Sequence, residues 1–343
     1  MSKRNRQILL VKRPIGLPEL SDFQLVESSL LDINQGEVLI ETIYLSVDPY
    51  MRWRMGGPEM HSEPFELNHV VTGGTVGKVI DSKNPTFPKG CIVTGQLGWA
   101  DYNVSDGTGL RRVDPEIAPI ETALGVMGMT GLTAYFGLLD IGKPKAKETV
   151  VVSGAAGAVG TVVGQIAKIK ECRVVGIAGS EQKIQYLKEE LGFDAVINYR
   201  RESVYESLKQ VCPDGIDVYF DNVGGEVSDA VMYLINTHAR IIVCGQISEY
   251  NNKTPSMGPR LQKHLIYNQA LMQGFRIRQY SDRFDEGLAQ LGDWVREGNL
   301  SYRHSIVNGL ENAPKAFNGL FSGQNVGKQL VKVSAEWLGV DQH

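Results

Sequence analysis

Residues 150–160 read V-V-V-S-G-A-A-G-A-V-G, a run of β-branched valines passing directly into a turn of glycine and alanine and then into a helix. Three consecutive valines suit a strand covered on both faces, as parallel sheets require. The small residues of the turn let backbone approach a pyrophosphate closely, and the N–H groups and dipole of the helix that opens there favour phosphate oxygens. The spacing Ala155-x-Gly157-x-x-Gly160 follows the dinucleotide-binding fingerprint with alanine in place of its first glycine, and Ala158 and Val159 fill the remaining turn positions. Alone, the pattern is equally that of a tight structural turn, so the surrounding chain decides between the two readings.

From residue 149 onward the pattern alternates strictly between strand and helix. Strands are expected at Thr149–Val152, Arg173–Ile177, Ala195–Asn198, Ile216–Asp221, Arg240–Cys244 and Gln273–Ile277, with helices near 157–170, 182–191, 204–211 and 227–235. Six strands with crossovers predict a doubly wound parallel sheet, and crossovers of this kind are right-handed. Upstream, from Arg6 to about Ile120, short strand-like runs are separated by Gly/Pro turns, the texture of a small β-rich, barrel-like domain. The segment from Tyr302 to Val333 returns to that texture and is expected to rejoin it. Between them, Glu121–Asp140 has helical periodicity with many small residues and reads as a hinge helix. The expected organisation is therefore α/β, with one domain over 1–122 completed by 305–343 and a second over 123–304.

A chain of 343 residues favours two domains, and its 42% hydrophobic and 22% charged content is that of an ordinary globular protein. A net charge of −4 argues against a nucleic-acid or anionic-membrane surface. No stretch has the length and apolarity of a membrane span. The basic residues Lys3, Arg4, Arg6, Lys12 and Arg13 surround only a short apolar run, Ile8–Val11, which reads as a first strand rather than a targeting peptide. Cys91, Cys172, Cys212 and Cys244 are scattered, without a C-x-x-C pair, so reduced thiols and a cytoplasmic setting are expected.

An NAD-selective site places Asp or Glu at the end of its second strand to bind the adenosine ribose 2′-OH. Here that place reads Ala178-Gly179-Ser180, with Lys183 one helical turn on, so NADPH is the expected cofactor; Glu181 is the one acid able to swing towards the ribose. Lys183 could instead be a solvated helix-face lysine. Tyr199, just past strand three, suits stacking or bonding near the same phosphate, or is a surface tyrosine. The fourth and fifth strand exits, Asp221-Asn222-Val223-Gly224-Gly225 and Cys244-Gly245-Gln246-Ile247-Ser248-Glu249-Tyr250-Asn251, lie at the carboxyl edge where such folds bind ligands, which makes Asn222, Gly245 and Ile247 candidates for the nicotinamide half.

The blocks L-S-V-D-P-Y-M-R (45–52), G-M-T-G-L-T-A-Y (128–135), V-S-G-A-A-G-A-V-G (152–160), G-I-D-V-Y-F-D-N-V-G-G (215–225), C-G-Q-I-S-E-Y-N (244–251) and N-V-G-K-Q (325–329) occur in order along the chain. With them the chain resembles the medium-chain dehydrogenase/reductase superfamily, in its zinc-independent double-bond reductase branch of prostaglandin/leukotriene reductases, plant alkenal reductases and bacterial NADPH-dependent curcumin reductases. The segments L-L-D-I-G-K-P-K (138–145) and G-L-E-N-A-P (309–314) are most similar to the curcumin reductases. The resemblance implies a GroES-like catalytic domain, a Rossmann cofactor domain and an active-site cleft between the two. It further implies that Lys183 and Tyr199 hold the 2′-phosphate side, that Asn325 contacts the cofactor, and that Tyr50 and Tyr250 line the substrate cleft, although the residues around Tyr50 taken alone favour its capping the barrel core. Tyr267 is a further cleft candidate whose helical setting also suits packing. Thr130 stands where many relatives have proline, and Gly154 where many have alanine. Such relatives are often dimers and sometimes monomers, and a homodimer is the state favoured here. Zinc alcohol dehydrogenases share the two-domain plan, but His69 lies in Asn68-His69-Val70 without a G-H-E pattern and Cys91 has no partner, so no metal is expected.

The chemistry that follows is hydride addition to the β-carbon of an α,β-unsaturated carbonyl compound, an enone or enal. The enolate oxygen formed needs a donor, and a tyrosine hydroxyl with an ordinary pKa near 10 supplies one at neutral pH, which points to Tyr250. The resemblance adds the nicotinamide ribose 2′-OH as a second donor. Water and Tyr250 both remain sources for the α-carbon proton. The competing readings are an NADPH quinone reductase and an NADPH-binding protein without catalysis.

Overall fold

The computed structural model describes residues 4–30, 32–56 and 63–334, which form two compact units. The first comprises the described residues up to Leu124, His304–Asn325, and the described residues from Gln329 onward; the second comprises Gly125–Arg303 and Val326–Lys328.

The first unit is built on the strand Val38–Ser46, V-L-I-E-T-I-Y-L-S, in which every residue except Glu41 is buried. It pairs antiparallel with Thr72–Ser82 on one side, and on the other with Tyr102–Ser105 along its first half and the returning strand Lys328–Lys332 along its second. Ile92–Gly98 and Arg111–Val113 extend this seven-stranded sheet, and a separate three-stranded sheet orders Phe23–Ser29, Arg4–Leu10 and His69–Val70. The strand Phe23–Ser29 has no counterpart in the sequence expectation, because only Phe23 of its seven residues is buried and it shows no clean alternation.

The second unit is a six-stranded sheet in which every neighbouring pair is parallel. Its strands are, in chain order, Thr149–Ser153, Arg173–Ala178, Ala195–Asn198, Ile216–Asp221, Ile235–Val243 and Leu271–Gly274. In space they run third, second, first, fourth, fifth, sixth. The order reverses between the first and fourth strands, the place where open α/β sheets bind ligands. Alternation along the central strands feeds two cores. Val150, Val152, Val174, Val218 and Phe220 face one, and Val151, Val175, Ile177 and Tyr219 face the other, so helices cover both faces.

Three boundaries differ from the sequence expectation. Residues 121–140 are not one helix: a 3₁₀ turn at Ile120–Leu124 precedes the helix Met129–Phe136, which opens into a wider turn at Gly137–Gly142. The break falls at Gly128, whose φ of −146° and ψ of −151° are extended, and Gly131 lets the preceding turn pack on the helix, since a Cβ there would lie 1.8 Å from the Val126 carbonyl oxygen. The fifth strand begins at Ile235 rather than Arg240, which shortens the preceding helix to Gly225–Met232. The sixth strand is Leu271–Gly274, earlier than Gln273–Ile277, because Phe275 and Ile277 leave the sheet to pack on the first core.

The helix Gly160–Ile169 owes its close approach to Phe193 to a missing side chain: a Cβ at Gly164 would lie 2.0 Å from the ring Cζ. Gly164→Ala is expected to cost about 1–3 kcal/mol through overpacking. Gly292, in the helix Phe284–Arg296, meets only the flexible Met127 methyl at 3.2 Å, so Gly292→Ala is expected to be neutral or to gain up to about 1 kcal/mol in helix propensity. Denaturant midpoints of the two variants check this contrast.

Candidate cofactor and catalytic site

The first strand ends at Ser153 and the chain turns at Gly154, whose φ of +59° is in the left-handed region. Ala155 is held by its N–H to the Ile177 carbonyl at 3.1 Å, and Gly157 by its N–H to the Gly154 carbonyl at 2.9 Å. Gly160 is where the helix meets the turn: a Cβ there would lie 2.5 Å from the Gly154 oxygen and 2.7 Å from the Ala155 Cα. Only glycine permits that packing. Gly157, Ala158 and Val159 are half-buried, and no side chain caps the helix that follows. The strip Val326–Lys328 lies against this turn, with the Gly327 N–H donating to the Ala156 carbonyl at 2.8 Å. Asn325 immediately precedes that strip and belongs to the first unit.

At the second strand exit, Ser180 caps the short helix Glu181–Gln185 by accepting from the Lys183 N–H. Gly179 makes room for Tyr199, since a Cβ there would lie 2.7 Å from the ring. Tyr199 is exposed, and the Arg200 guanidinium stands 5.8 Å from its ring centroid. Burial, and then the like charge of Arg200, hold the Lys183 ammonium below its ordinary range. Arg200 over the Tyr199 ring, with Lys183 close enough to feel its charge, is a grouping of the type able to bind a phosphate dianion. Glu181 does not point at large: its carboxylate accepts from Arg201 at 3.0 Å and from the Asn198 amide at 3.2 Å.

The fourth strand exit is organised by the carboxylate of Asp221, which is 2% exposed. One oxygen, Oδ1, accepts from the Tyr219 hydroxyl at 2.8 Å, the Ser153 hydroxyl at 2.9 Å, and the N–H groups of Val223 and Gly224 at 3.0 and 2.9 Å. Ser153 in turn accepts from the Asn222 N–H at 2.9 Å, while the Asn222 amide donates to the Ser153 carbonyl at 2.8 Å. The Asp221 carbonyl receives the N–H groups of Cys244 and Gly245, and the Asn222 carbonyl that of Ile247 at 3.4 Å. Three strand exits are thus tied together at the sheet's carboxyl edge.

Tyr250 closes this loop on itself. Its hydroxyl accepts from the Gln246 N–H at 3.1 Å and sits where a Cβ on Gly245 would lie 2.9 Å away. Burial pushes the phenol up to about 12, against the opposing pull of the Gln246 N–H, so it is protonated at neutral pH. A hydroxyl that accepts one hydrogen bond is polarised to donate another.

The structure brings together Ala155, Gly157, Gly160, Asn222, Gly245, Ile247 and Tyr250 along one sheet edge, and Gly179, Ser180, Lys183 and Tyr199 at the second strand exit. Tyr50 lies in the first unit, preceding the short helix Met51–Arg54, with its hydroxyl 3.4 Å from the Gln96 side-chain oxygen and its ring against that unit's core. Tyr267 ends the helix Gln262–Tyr267 and is 82% exposed, so it does not serve to pack its own unit. Arg200 and Asp221 escaped the sequence reading as site-forming residues; an acid closing the buried strand I-D-V-Y-F-D was the available signal for the second. Among the described residues, no group of three or more His, Cys, Asp or Glu side chains is placed to hold a metal, and no helix is long and apolar enough to cross a membrane.

Two family models match the chain, one described as the N-terminal domain of oxidoreductase over residues 6–113 and one as zinc-binding dehydrogenase over residues 158–293. A putative NADP-dependent oxidoreductase of Bacillus subtilis (strain 168), YfmJ, is 54% identical, the match covering 97% of this chain and 99% of that protein. The NADPH-dependent curcumin reductase of Escherichia coli (strain K12) is 44% identical, covering 97% of this chain and 98% of that one. The crystal structure of CurA from Vibrio vulnificus in complex with NADPH superposes with a TM-score of 0.92 at 46% identity, covering 96% of this chain and 99% of that one.

The Asp221 network yields a direct test. Asp221→Ala strands several buried donors, each costing about 1–3 kcal/mol when left unsatisfied, so a drop of at least that size in unfolding free energy is expected. Asp221→Asn retains one acceptor oxygen and should lose less, while weakening NADPH binding because the turn at 222–224 is no longer fixed. Denaturation and fluorescence titration of the two variants measure both effects.

Proposed function

The chain belongs to the zinc-independent double-bond reductase branch of the medium-chain dehydrogenase/reductase family and is an NADPH-dependent oxidoreductase; from that premise we propose that it reduces the activated C=C bond of α,β-unsaturated ketones and aldehydes, including curcumin-like ones. The observation that carries this reading is the Tyr250 hydroxyl, protonated and polarised by the Gln246 N–H at the ligand-binding edge of the sheet.

The residues present fit NADPH. The turn at 154–160 carries no side chain larger than valine's, and the second strand exit carries Lys183, with Arg200 acting on its charge and standing over Tyr199, where an NAD-selective site would carry an acid. We assign the N–H groups of Gly157, Ala158, Val159 and Gly160 to the pyrophosphate, with Ala155 shaping the turn. Gly179, Ser180, Lys183, Tyr199 and Arg200 take the 2′-phosphate side, Asn222, Gly245 and Ile247 the nicotinamide side, and Asn325 is assigned to contact with the cofactor. Bound NADPH supplies the hydride. Tyr250 then donates its hydrogen bond to the carbonyl oxygen as negative charge develops there, which stabilises the enolate of the substrate. Tyr50 and Tyr267 are assigned to positioning the substrate. The open edge of the sixth strand, where Leu271 is nearly half exposed, together with the strongly exposed Ile266 of the helix before it, supports a homodimer, and a cytoplasmic setting fits the reduced cysteines.

Tyr250→Phe is expected to lower kcat by roughly 10²–10³, the equivalent of about 3–4 kcal/mol for one oxyanion donor, with little change in NADPH dissociation constant. Unchanged turnover in that variant would take Tyr250 out of the mechanism. Because the folded-state phenol lies near 12 rather than near the ordinary value of about 10, the Tyr250 proton stays in place as pH rises to about 10, and its stabilising contribution is lost only as pH climbs through about 12. A pH–rate profile with no alkaline limb attributable to a phenol below pH of about 10 is therefore expected. Steady-state rates with an enone panel, a quinone and a simple ketone separate the reactions: enones turn over best if the proposal holds, and a clear preference for the quinone makes the chain a quinone reductase instead.

A further inference from the structure

We propose that Glu181 is a latent NADH-selecting acid, and that Asn198 and Arg201 enforce NADPH preference by holding its carboxylate away from the ribose. The inference rests on the reading that the second strand exit receives the adenosine ribose. Glu181 is the first residue of the helix that follows that strand, one residue beyond Ser180 and near the place where an NAD-selective site carries its carboxylate. A carboxylate free to turn there would accept from a ribose 2′-OH and repel a 2′-phosphate.

The structure shows what prevents this. Asn198 is the last residue of the third strand and is 3% exposed, so its amide is a fixed donor rather than a mobile surface group. Its orientation is set from the other side, because its Oδ1 accepts the Arg200 N–H at 3.2 Å, which turns the amide nitrogen towards Glu181. Its carbonyl receives the N–H groups of Arg201 and Glu202, both at 3.0 Å, which closes the turn that brings Arg201 round to the same carboxylate oxygen. Both donors meet Glu181 Oε1. Of the two residues between them in sequence, Arg200 stands over the Tyr199 ring and is close enough to Lys183 to act on its charge. One four-residue turn thus supplies a positive charge towards the phosphate side with residue 200 and removes a negative one with residues 198 and 201.

The Arg201–Glu181 pair is solvent-exposed, so the effect of releasing it is modest, about 3–5-fold in relative affinity. Dissociation constants of NADPH, NADH and 2′,5′-ADP, measured by calorimetry without substrate, read it apart from turnover. Arg201→Gln should lower the NADPH:NADH affinity ratio about 3–5-fold, and the double variant Arg201→Gln with Glu181→Gln should restore it. An equal fall in both variants means that Arg201 acts through its own charge on the phosphate, and no fall in Arg201→Gln means that the clamp is idle; either result overturns the proposal. Lys183→Ala is the control on the underlying reading. If it leaves 2′,5′-ADP affinity unchanged, the ribose end lies elsewhere and the clamp falls with it, an outcome separable from the first two because those are judged with Lys183 in place.

Discussion

A single buried carboxylate holds the ligand-binding edge of the second unit in shape. A polar side chain removed from water is tolerated only when hydrogen bonds replace its hydration, and Asp221 receives four on one oxygen, from a tyrosine, a serine and two backbone N–H groups. Those donors come from the first strand, the fourth strand and the turn after it. Through its carbonyl the same residue holds Cys244 and Gly245, and so the start of the loop that carries Tyr250. The phenol, the backbone of the fourth and fifth strand exits and the glycine-rich turn are therefore positioned by one connected network, not by separate loops. That connection is what a hydride transfer needs, since small misplacements of reacting groups are costly.

The apolar part of the structure makes this possible by being stiff. Valines alternate between two cores along the first strand, and Val150, Val151 and Val152 are completely buried. A sheet packed on both faces moves little, so its strand exits are fixed points on which variable loops hang. Glycines mark where those exits crowd: Gly160 admits the helix to the turn, and Gly179 admits the ring of Tyr199. Chemistry in this fold is carried by the exits, and the strands only aim them.

Much of this was legible in the sequence because it is periodic or local. Strand–helix alternation, the valine run and the glycine spacing specify a parallel doubly wound sheet, and the absence of an acid at Ala178-Gly179-Ser180 points to the phosphate of NADPH. What escaped was whatever depends on residues far apart in the chain. Ser153 and Asp221 meet across 68 positions, and no spacing rule connects them. Glu181, an ambiguous acid in the sequence, acquires a definite direction only once Asn198 and Arg201 are folded beside it. The stretch 121–140 shows the opposite failure: its periodicity reads as one helix, but the chain is extended at Gly128 and Gly131 admits the Val126 carbonyl beside the helix, and such steric detail has no periodic signal. Tyr267 was open between packing and lining; its exposure at a helix end removes packing within its own unit.

The most direct test of the account is where the hydride goes. With NADPH carrying deuterium at the transferable position and a simple enone as acceptor, NMR of the product locates the label. The account predicts deuterium on the β-carbon of a saturated carbonyl compound. Deuterium on the former carbonyl carbon, with the double bond intact, would show that the enzyme reduces C=O instead and would contradict it.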